Sequence, residues 1–354
     1  MSGIIHTCDP GKELDRLTHG VPDGALYAVI PDSCAPILLN NAKGRWSEHA
    51  IKIPIPDGES AKNLQTAEII WQALLKGGAT RQSVLINIGG GMTTDIGGFA
   101  AACYMRGIRY INVPTTLLAM VDASTGGKTG LNLGCVKNVV GAFHNPDATI
   151  VSPVFLKSLP YKDLLSGYGE MLKHALIKDK RCIEKYLSID PQALDETEWS
   201  DYISESVNVK RNIVSKDPYE KGLRRILNLG HTAGHAIEAL CMDPEWQGVR
   251  TSHGHAVAWG LVSALVLSHI RHGFSSELLQ KTALYIRRLY PQIPIKCDHY
   301  PRLLELMGHD KKNPQHGIIS FVLLRSPGDP VLSDNVPIEE IHTALDITRD
   351  LLGI

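Results

Sequence analysis

The 354-residue sequence lacks the features that mark membrane-spanning, secreted or nucleic-acid-binding proteins. No run approaches the ~18–20 consecutive apolar residues that a membrane-spanning helix needs. The first fifteen residues contain no basic segment followed by an apolar core, so we expect no secretory signal. The 36 basic and 37 acidic residues give a net charge of -1, which provides no general attraction to nucleic acid or anionic membranes. Any anion site must therefore come from local clusters.

The cysteines give no indication of a structural role. The seven cysteines are an odd number, are spread along the chain and form no CxxC pair. Neither a disulfide framework nor a cysteine-based zinc module is expected, and the pattern favours reduced thiols in a cytoplasmic protein. The composition, 44% hydrophobic and 21% charged, is that of a globular protein. The length exceeds what one hydrophobic core usually supports, so the sequence predicts two domains.

The first part of the chain alternates short apolar runs with helical stretches. ALYAVI (25–30), SVLINI (83–88) and IRYINV (108–113) are typical of buried strands, and residues 60–77 have helical spacing. Strands that alternate with helices predict a parallel sheet covered by helices. This part is therefore predicted to be an α/β domain.

Beyond about residue 150 the pattern becomes helical. An apolar run at 317–324 predicts one late strand or hairpin. We place the boundary near residue 158, with an α/β domain at 1–158 and an all-α domain at 159–354. The predicted helices of the second domain span 161–177, 196–215, 231–241, 254–271, 276–289 and 337–352.

A glycine run follows the second predicted strand. The sequence GGGMTTD (89–95) leads from this strand into a helix, where backbone N–H groups can bind a pyrophosphate. The run is not GxGxxG, so the ordinary dinucleotide fingerprint is absent and a simple tight turn is the alternative. Asp32 ends an earlier strand, where a carboxylate can bind ribose hydroxyls or serve only as a turn residue.

The stretch 104–145 combines small residues with charged and amide side chains. It contains Arg106, Asp122, Lys128, Lys137 and Asn138. Flexible loops that present lysine, arginine and asparagine suit a compact, polyanionic and polyhydroxylated ligand. The alternative is a solvated, glycine-rich surface loop.

Several metal-ligating residue types occur in the helical half. Glu170 lies in GYGEMLKHALI, His231 and His235 lie one helical turn apart, and His253 is followed closely by His255. One glutamate and two histidines from separate helices would form a three-ligand site with open positions, as catalytic zinc sites have. The alternative is that these histidines are ordinary hydrogen-bonded core residues.

Taken together, these motifs resemble one family. GGGMTTDIGGF, YMRGIRYINVPTTLLAMVDASTGGKTGLN, KNVVGAF, GYGEMLKHALI, GLRRILNLGHTAGHAIEA, HGHAVAWG and HDKKN occur in the order and approximate spacing of the dehydroquinate synthases. The resemblance extends from Glu59 to Leu324. It implies a Rossmann-like NAD-binding α/β domain, an all-α metal-binding domain, an active site between them, and a homodimer.

The resemblance also implies roles for individual residues. The metal ligands, for zinc or cobalt, would be Glu170, His231 and His253. Proton transfer falls to Glu220 and His235. The NAD site would comprise Asp32, Glu59, Lys62, Gly90, Gly91, Met92, Asp95, Thr115, Thr116, Lys137 and Ser158. The substrate site would comprise Arg106, Asp122, Lys128, Asn138, Lys173, Lys210, Arg224, Asn228, His253 and a lysine of the pair Lys311 and Lys312, with Lys128, Lys173, Arg224 and Asn228 also taking part in catalysis.

The implied reaction converts 3-deoxy-D-arabino-heptulosonate 7-phosphate, a sugar phosphate, to 3-dehydroquinate and phosphate. It proceeds by transient oxidation with NAD, β-elimination of phosphate, reduction and intramolecular aldol closure. The alternatives are another sugar phosphate cyclase, a metal-dependent alcohol or glycerol dehydrogenase, or a non-enzymatic binding module.

Two departures from the family pattern concern the proposed sites. The usual HGE is His253-Gly254-His255, so an imidazole replaces a carboxylate. Either His255 faces away from the metal or it adds a donor behind the ligands. The usual GKN is Val136-Lys137-Asn138, which keeps both polar residues and removes a flexible position.

Overall fold

The structure, a computed structural model, describes residues 3–123, 126–134, 136–243, 246, 248, 250–308 and 319–354. The chain divides into two compact units. Unit 1 comprises Met1–Pro160 and Leu194–Val207, and unit 2 comprises Tyr161–Ala193 and Asn208–Ile354. The two-domain boundary near residue 158 stays a prediction.

Unit 1 contains a six-stranded parallel sheet in the order β1-β8-β5-β4-β2-β3. Every residue of the second, fourth and eighth strands is buried. This explains their continuous apolar sequences, because a parallel sheet covered on both faces exposes neither side of a strand. The strands of unit 1 are β1 (Gly3–His6), β2 (Leu26–Pro31), β3 (Ile51–Ile55), β4 (Val84–Gly89), β5 (Arg109–Pro114), β6 (Lys128–Leu133), β7 (Val136–Phe143) and β8 (Ala148–Val151).

The helices of unit 1 begin where the sequence supplies a cap or a glycine turn. Asn63 caps α4 by accepting a hydrogen bond from the Thr66 amide at 3.0 Å. Helix α5 begins at Gly91, so the end of the glycine run is already helical. The helices are α1 (Pro10–Leu17), α2 (Ala35–Asn41), α3 (Trp46–His49), α4 (Leu64–Lys76) and α5 (Gly91–Cys103).

The small residues of the stretch 104–145 form a hairpin where the sequence had predicted flexible loops. Strands β6 and β7 pair antiparallel, with Gly130 opposite Gly141. A Cβ on Gly130 would lie 2.7 Å from the Val140 carbonyl oxygen, and one on Gly141 would lie 2.2 Å from that of Thr129. The glycines therefore permit close strand pairing, which composition alone does not distinguish from flexibility.

Unit 2 is built around a buried helix, α10. It packs against α6, α9, α11, α13 and β9. The late apolar run contributes to an antiparallel pair, β9 and β10. The elements are α6 (Tyr161–Lys178), α7 (Lys180–Tyr186), α8 (Glu196–Lys216, divided between the units), α9 (His231–Met242), α10 (His253–His272), α11 (Ser276–Leu289), α12 (Tyr300–Gly308), β9 (Phe321–Ser326), β10 (Asp329–Ser333) and α13 (Ile338–Leu352).

Despite the apolar character of α10, none of the helices in the described ranges combines the length and hydrophobicity needed to cross a membrane.

Candidate active site and metal centre

Three imidazoles of unit 2 form a compact triangle. His231 and His235 lie one turn apart at the start of α9, and His253 is the first residue of α10. The ring centroids are separated by 5.0 Å for His231 and His235, and by 5.6 Å from each of these to His253. One nitrogen can be chosen on each ring so that all three lie within 4.8 Å of one another, a spacing at which they could hold a single ion.

The Glu170 carboxylate completes this cluster from helix α6. Its Oε1 lies 3.3 Å from Nε2 of His253 and 3.4 Å from Nε2 of His231. Glu170 is fully buried, and no hydrogen bond reaches its Oε1 from the described residues. Ligands of one tetrahedral zinc ion, at ~2.0–2.2 Å from it, lie about 3.4 Å apart. The spacing of these three atoms therefore fits a shared metal ion.

Two glycines allow the three helices to approach closely enough for this convergence. A Cβ on Gly254, next to His253, would lie 1.6 Å from the Ser166 carbonyl oxygen on α6. A Cβ on Gly260 would lie 2.0 Å from the Gly230 carbonyl oxygen, at the start of α9. Any larger residue would force the helices apart. The glycines in HGH and AWG thus set the distance between the helices that carry the cluster.

The charges of the cluster are strongly coupled. Burial alone would raise the pKa of Glu170, but the Lys173 ammonium and the His253 ring outweigh it and hold that pKa well below its ordinary value. Burial would lower the pKa of His253, but its contacts with Glu170 and Glu238 outweigh that effect and raise it to about 10. In the metal-free protein, the site is therefore an ionised carboxylate beside a protonated imidazole.

His255 lies outside this cluster. Its Nε2 donates to the Pro291 carbonyl at 2.8 Å, and its ring packs on Tyr290 with the centroids 5.2 Å apart. Burial lowers the pKa of His255 to about 4, so the ring is neutral at pH 7. Of the two possibilities for this departure from the family pattern, the contacts favour a ring that faces away from the metal ligands.

A second group of predicted residues lies in and around a 3-10 helix, Leu223–Asn228. Asn228 donates from Nδ2 to Oε1 of Glu220 at 3.3 Å, which joins a predicted substrate residue to a predicted proton-transfer residue. Arg224 is 4% exposed, and its guanidinium donates to the Pro218 carbonyl at 2.6 Å. Lys210, on α8, is also buried.

Asp217 organises this segment, and sequence reasoning did not identify it. Its carboxylate accepts hydrogen bonds from the backbone amides of Lys221, Gly222 and Arg224 at 2.9, 2.7 and 3.0 Å. These bonds, that of Arg224 first, lower its pKa. The only sequence signal was the turn-like DPYEKG itself, which does not reveal that one carboxylate accepts hydrogen bonds from three nearby backbone amides.

In unit 1, predicted cofactor residues follow the carboxyl ends of three adjacent strands. Asp32 follows β2, Gly90 and Gly91 follow β4, and Thr115 and Thr116 follow β5. The Thr115 amide donates to the Gly89 carbonyl at 2.9 Å, which ties two of these loops together. The carboxyl edge of a parallel sheet is where such folds bind ligands.

A polar network joins further predicted residues of unit 1. Lys62 is 3% exposed, and its ammonium contacts Oδ2 of Asp95 at 2.6 Å and Oδ1 of Asn138 at 2.5 Å. Asn132 accepts from the Asn138 amide at 2.9 Å and donates to Oε1 of Glu59 at 2.9 Å. Asn132 ends the GKTGLN motif and was not among the predicted site residues, because spacing alone did not place it between two of them.

The structure does not bring every predicted residue together. Helix α5 runs back from the carboxyl edge of the sheet, so Arg106, three residues before β5, lies at the opposite edge. Met92 lies in the first turn of α5, Asp122 lies in a π-helical turn after β5, Lys128 begins β6, Lys137 lies on β7 and Ser158 ends a 3-10 helix after β8. Lys311 and Lys312 lie outside the described residues.

Sequence comparison assigns the chain to a family. The profile of the 3-dehydroquinate synthase N-terminal domain matches residues 52–166, and that of the C-terminal domain matches residues 167–313. The chain belongs to the 3-dehydroquinate synthase family. This 3-dehydroquinate synthase family member is 45% identical to the 3-dehydroquinate synthase of Parabacteroides distasonis over 300 residues, which cover 84% of this chain and 83% of that protein. It is 38% identical to that of Bordetella pertussis over 351 residues, 96% and 94% of the two chains.

Solved structures confirm the predicted fold class of this 3-dehydroquinate synthase family member. The 2-epi-5-epi-valiolone synthase of Streptomyces hygroscopicus subsp. jinggangensis 5008, with NAD+ and Zn2+ bound, has a TM-score of 0.82 at 24% identity, covering 99% of this chain and 97% of that one. A glycerol dehydrogenase from Schizosaccharomyces pombe has a TM-score of 0.66 at 14% identity, covering 99% and 89%. At these identities, the likeness is one of fold alone.

Proposed function

We propose that this chain is a 3-dehydroquinate synthase that converts 3-deoxy-D-arabino-heptulosonate 7-phosphate to 3-dehydroquinate and phosphate. The observation that carries the proposal is the convergence of Glu170, His231 and His253 in a member of this family, at the spacing of a shared metal ion. The enzyme would be a phosphate-eliminating lyase. We further propose a cytoplasmic homodimer that acts on a small sugar phosphate.

A zinc or cobalt ion fits the donors of unit 2. Glu170 would supply Oε1, and His231 and His253 would each supply Nε2. Two nitrogens and one oxygen leave a coordination position open, as in catalytic zinc sites. When bound there, a divalent ion supplies Lewis acidity that lowers the pKa of a substrate hydroxyl.

His235 is the proposed proton acceptor. Its ring lies beside both proposed metal-binding imidazoles, with centroid distances of 5.0 Å to His231 and 5.6 Å to His253. A neutral imidazole at this position can take the proton of an alcohol as that alcohol is oxidised. Glu220 is the second proposed proton-transfer residue, and its contact with Asn228 orients its carboxylate.

An NAD cofactor fits the carboxyl edge of the sheet in unit 1. Gly90 is the N-cap residue of α5 and has no side chain that could cap its first turn. Its amides are therefore free to bind phosphate oxygens, and glycine allows close approach. Asp32 would accept ribose hydroxyls, and the Lys62–Asp95–Asn138 network would shape the adjoining wall. Bound NAD supplies an acceptor that takes a hydride and returns it within one turnover.

Cationic and amide side chains would bind the carboxylate and phosphate of the substrate. In unit 2, Lys210 and Arg224 are buried cations, and Lys173 is held beside Glu170. In unit 1, Lys128 and Asn138 lie on the hairpin that packs against α5. These groups act by holding the open-chain intermediate in position while its ring re-forms. Arg106 and one of Lys311 and Lys312 remain proposed members of this set.

The test is a measurement of phosphate release and of NADH absorbance in the same sample. With the heptulosonate phosphate and NAD, we expect one phosphate per substrate and no net NADH. Net NADH from a simple alcohol would instead indicate a dehydrogenase. Phosphate release only from a seven-carbon sugar phosphate without a carboxylate would indicate another sugar phosphate cyclase.

A further inference from the structure

In each of the two histidines proposed as metal ligands, Nδ1 lies within hydrogen-bond distance of an oxygen atom. Nδ1 of His231 lies 3.2 Å from the Leu229 carbonyl oxygen, and Nδ1 of His253 lies 3.1 Å from Oε2 of Glu238. Both acceptors are oxygens, so in each ring the hydrogen lies on Nδ1 and the lone pair of a neutral ring lies on Nε2. Each Nε2 faces Glu170 Oε1. The same tautomer is thus imposed twice, once by backbone and once by a side chain.

Glu238 is a buried residue of helix α9 that reaches His253 on helix α10. It follows His231 by seven residues and His235 by three, so these side chains share one face of the helix. Glu238 is 7% exposed, and burying a carboxylate is unfavourable unless it is hydrogen-bonded. Its contact with His253 provides such a bond and also spans from α9 to α10.

We propose that Glu238 is a positioning residue for the metal site. Its carboxylate accepts the Nδ1–H of His253 and thereby fixes the ring orientation in which Nε2 points to the ion. Such outer carboxylates raise the basicity of a ligating imidazole, and their loss weakens metal binding by about 10–100-fold. The inference rests on the proposed metal site, and it adds a residue that takes no part in binding substrate or ion directly.

Three substitutions separate orientation from direct ligation. Glu238→Ala removes the acceptor, and we expect the Zn2+ dissociation constant to rise by about 10–100-fold. Glu238→Gln keeps an amide oxygen that can accept the same hydrogen, so its loss should stay within about tenfold. Thr232→Val is the matched control, because Thr232 is buried on the same helix but donates to the Ser320 carbonyl at 2.8 Å. This control should bind Zn2+ like the original chain.

The measurement is a competition titration of Zn2+ against a chromophoric chelator, accompanied by the absorption spectrum of the Co2+ form. We expect the Co2+ spectrum to change in Glu238→Ala and to be restored in Glu238→Gln. Equal affinity in the original chain and in Glu238→Ala would overturn the inference, as would equal losses in Glu238→Ala and Thr232→Val. Losses above about 10³-fold in both Glu238 variants would indicate a direct ligand and also overturn it. Failure of the original chain to bind Zn2+ would overturn the metal site as well, whereas normal binding without phosphate release would contradict the proposed reaction alone.

Discussion

The candidate sites of the two units differ in the chemical groups that form them. In unit 1, the predicted cofactor residues follow adjacent strand ends, and Gly90 and Gly91 among them offer only backbone groups. In unit 2, the cluster consists of side chains from three helices, with Glu170 fully buried. A site formed by backbone groups depends on the path of the main chain, whereas a site formed by side chains depends on individual ligand atoms. Substitutions in the two units should therefore have separable effects.

The largest expected effect is the loss of metal from His231→Ala. Removing one of the three proposed ligands should eliminate metal retention and lower phosphate release by more than about 10³-fold, while NAD binding stays unchanged. The comparison variant is His235→Ala, which should retain the metal but lose activity because it removes a proton acceptor. Metal content by mass spectrometry and NAD affinity by calorimetry check both. Metal loss in His235→Ala with retention in His231→Ala would reverse the assignment.

The substitution Lys62→Met tests the candidate cofactor site of unit 1. It removes the buried ammonium that contacts Asp95 and Asn138. We expect the free energy of unfolding to fall by about 2 kcal/mol, as for hydrogen bonds to a charged group, and NAD affinity to weaken. Metal content should not change. Thermal unfolding, NAD titration and metal analysis of the same preparation would show whether the effect stays within unit 1.

The regular spacing of apolar residues made most of the fold predictable from the sequence. The helix at 276–289 was predicted with the observed ends, because its apolar positions keep helical spacing. The hairpin of β6 and β7 was missed, since Gly130 and Gly141 have the composition of a loop and their pairing is a tertiary contact. The same limit applied to the sites. Family motifs predicted His231 and His253 as ligands, and this stays a prediction, whereas spacing does not encode the contacts made by Glu238, Asp217 and Asn132.

A pH experiment sharpens the contrast between His253 and its neighbour His255. The pKa of His253 is raised to about 10 in the metal-free protein, so its ring carries a proton at pH 7.5. A metal ion must displace that proton, so metal affinity should rise with pH up to about 10, with about one proton released per ion at pH 7.5. His255, whose pKa is lowered to about 4, contributes none. Calorimetry in two buffers with different ionisation enthalpies measures the release, and a value near zero would contradict this charge state.

The smallest expected effect concerns His255→Glu, which restores the residue usual in the family. The substitution removes the hydrogen bond to the Pro291 carbonyl and places two acceptors together, so some stability should be lost. Activity should remain within about tenfold, or ~1.4 kcal/mol, since the ring faces away from the cluster. His255→Gln, which keeps a donor, is the control. A much larger loss of phosphate release in both variants would assign His255 a catalytic part.

The most direct test of the metal centre is stepwise reconstitution of the chelator-treated chain with Zn2+ or Co2+. Phosphate release from the heptulosonate phosphate is measured at each step together with the bound metal per chain. We predict that activity rises in proportion to bound metal and saturates at one ion per chain. Glu170→Gln should gain neither metal nor activity under the same conditions. Full phosphate release by the metal-free chain would contradict a metal-dependent reaction.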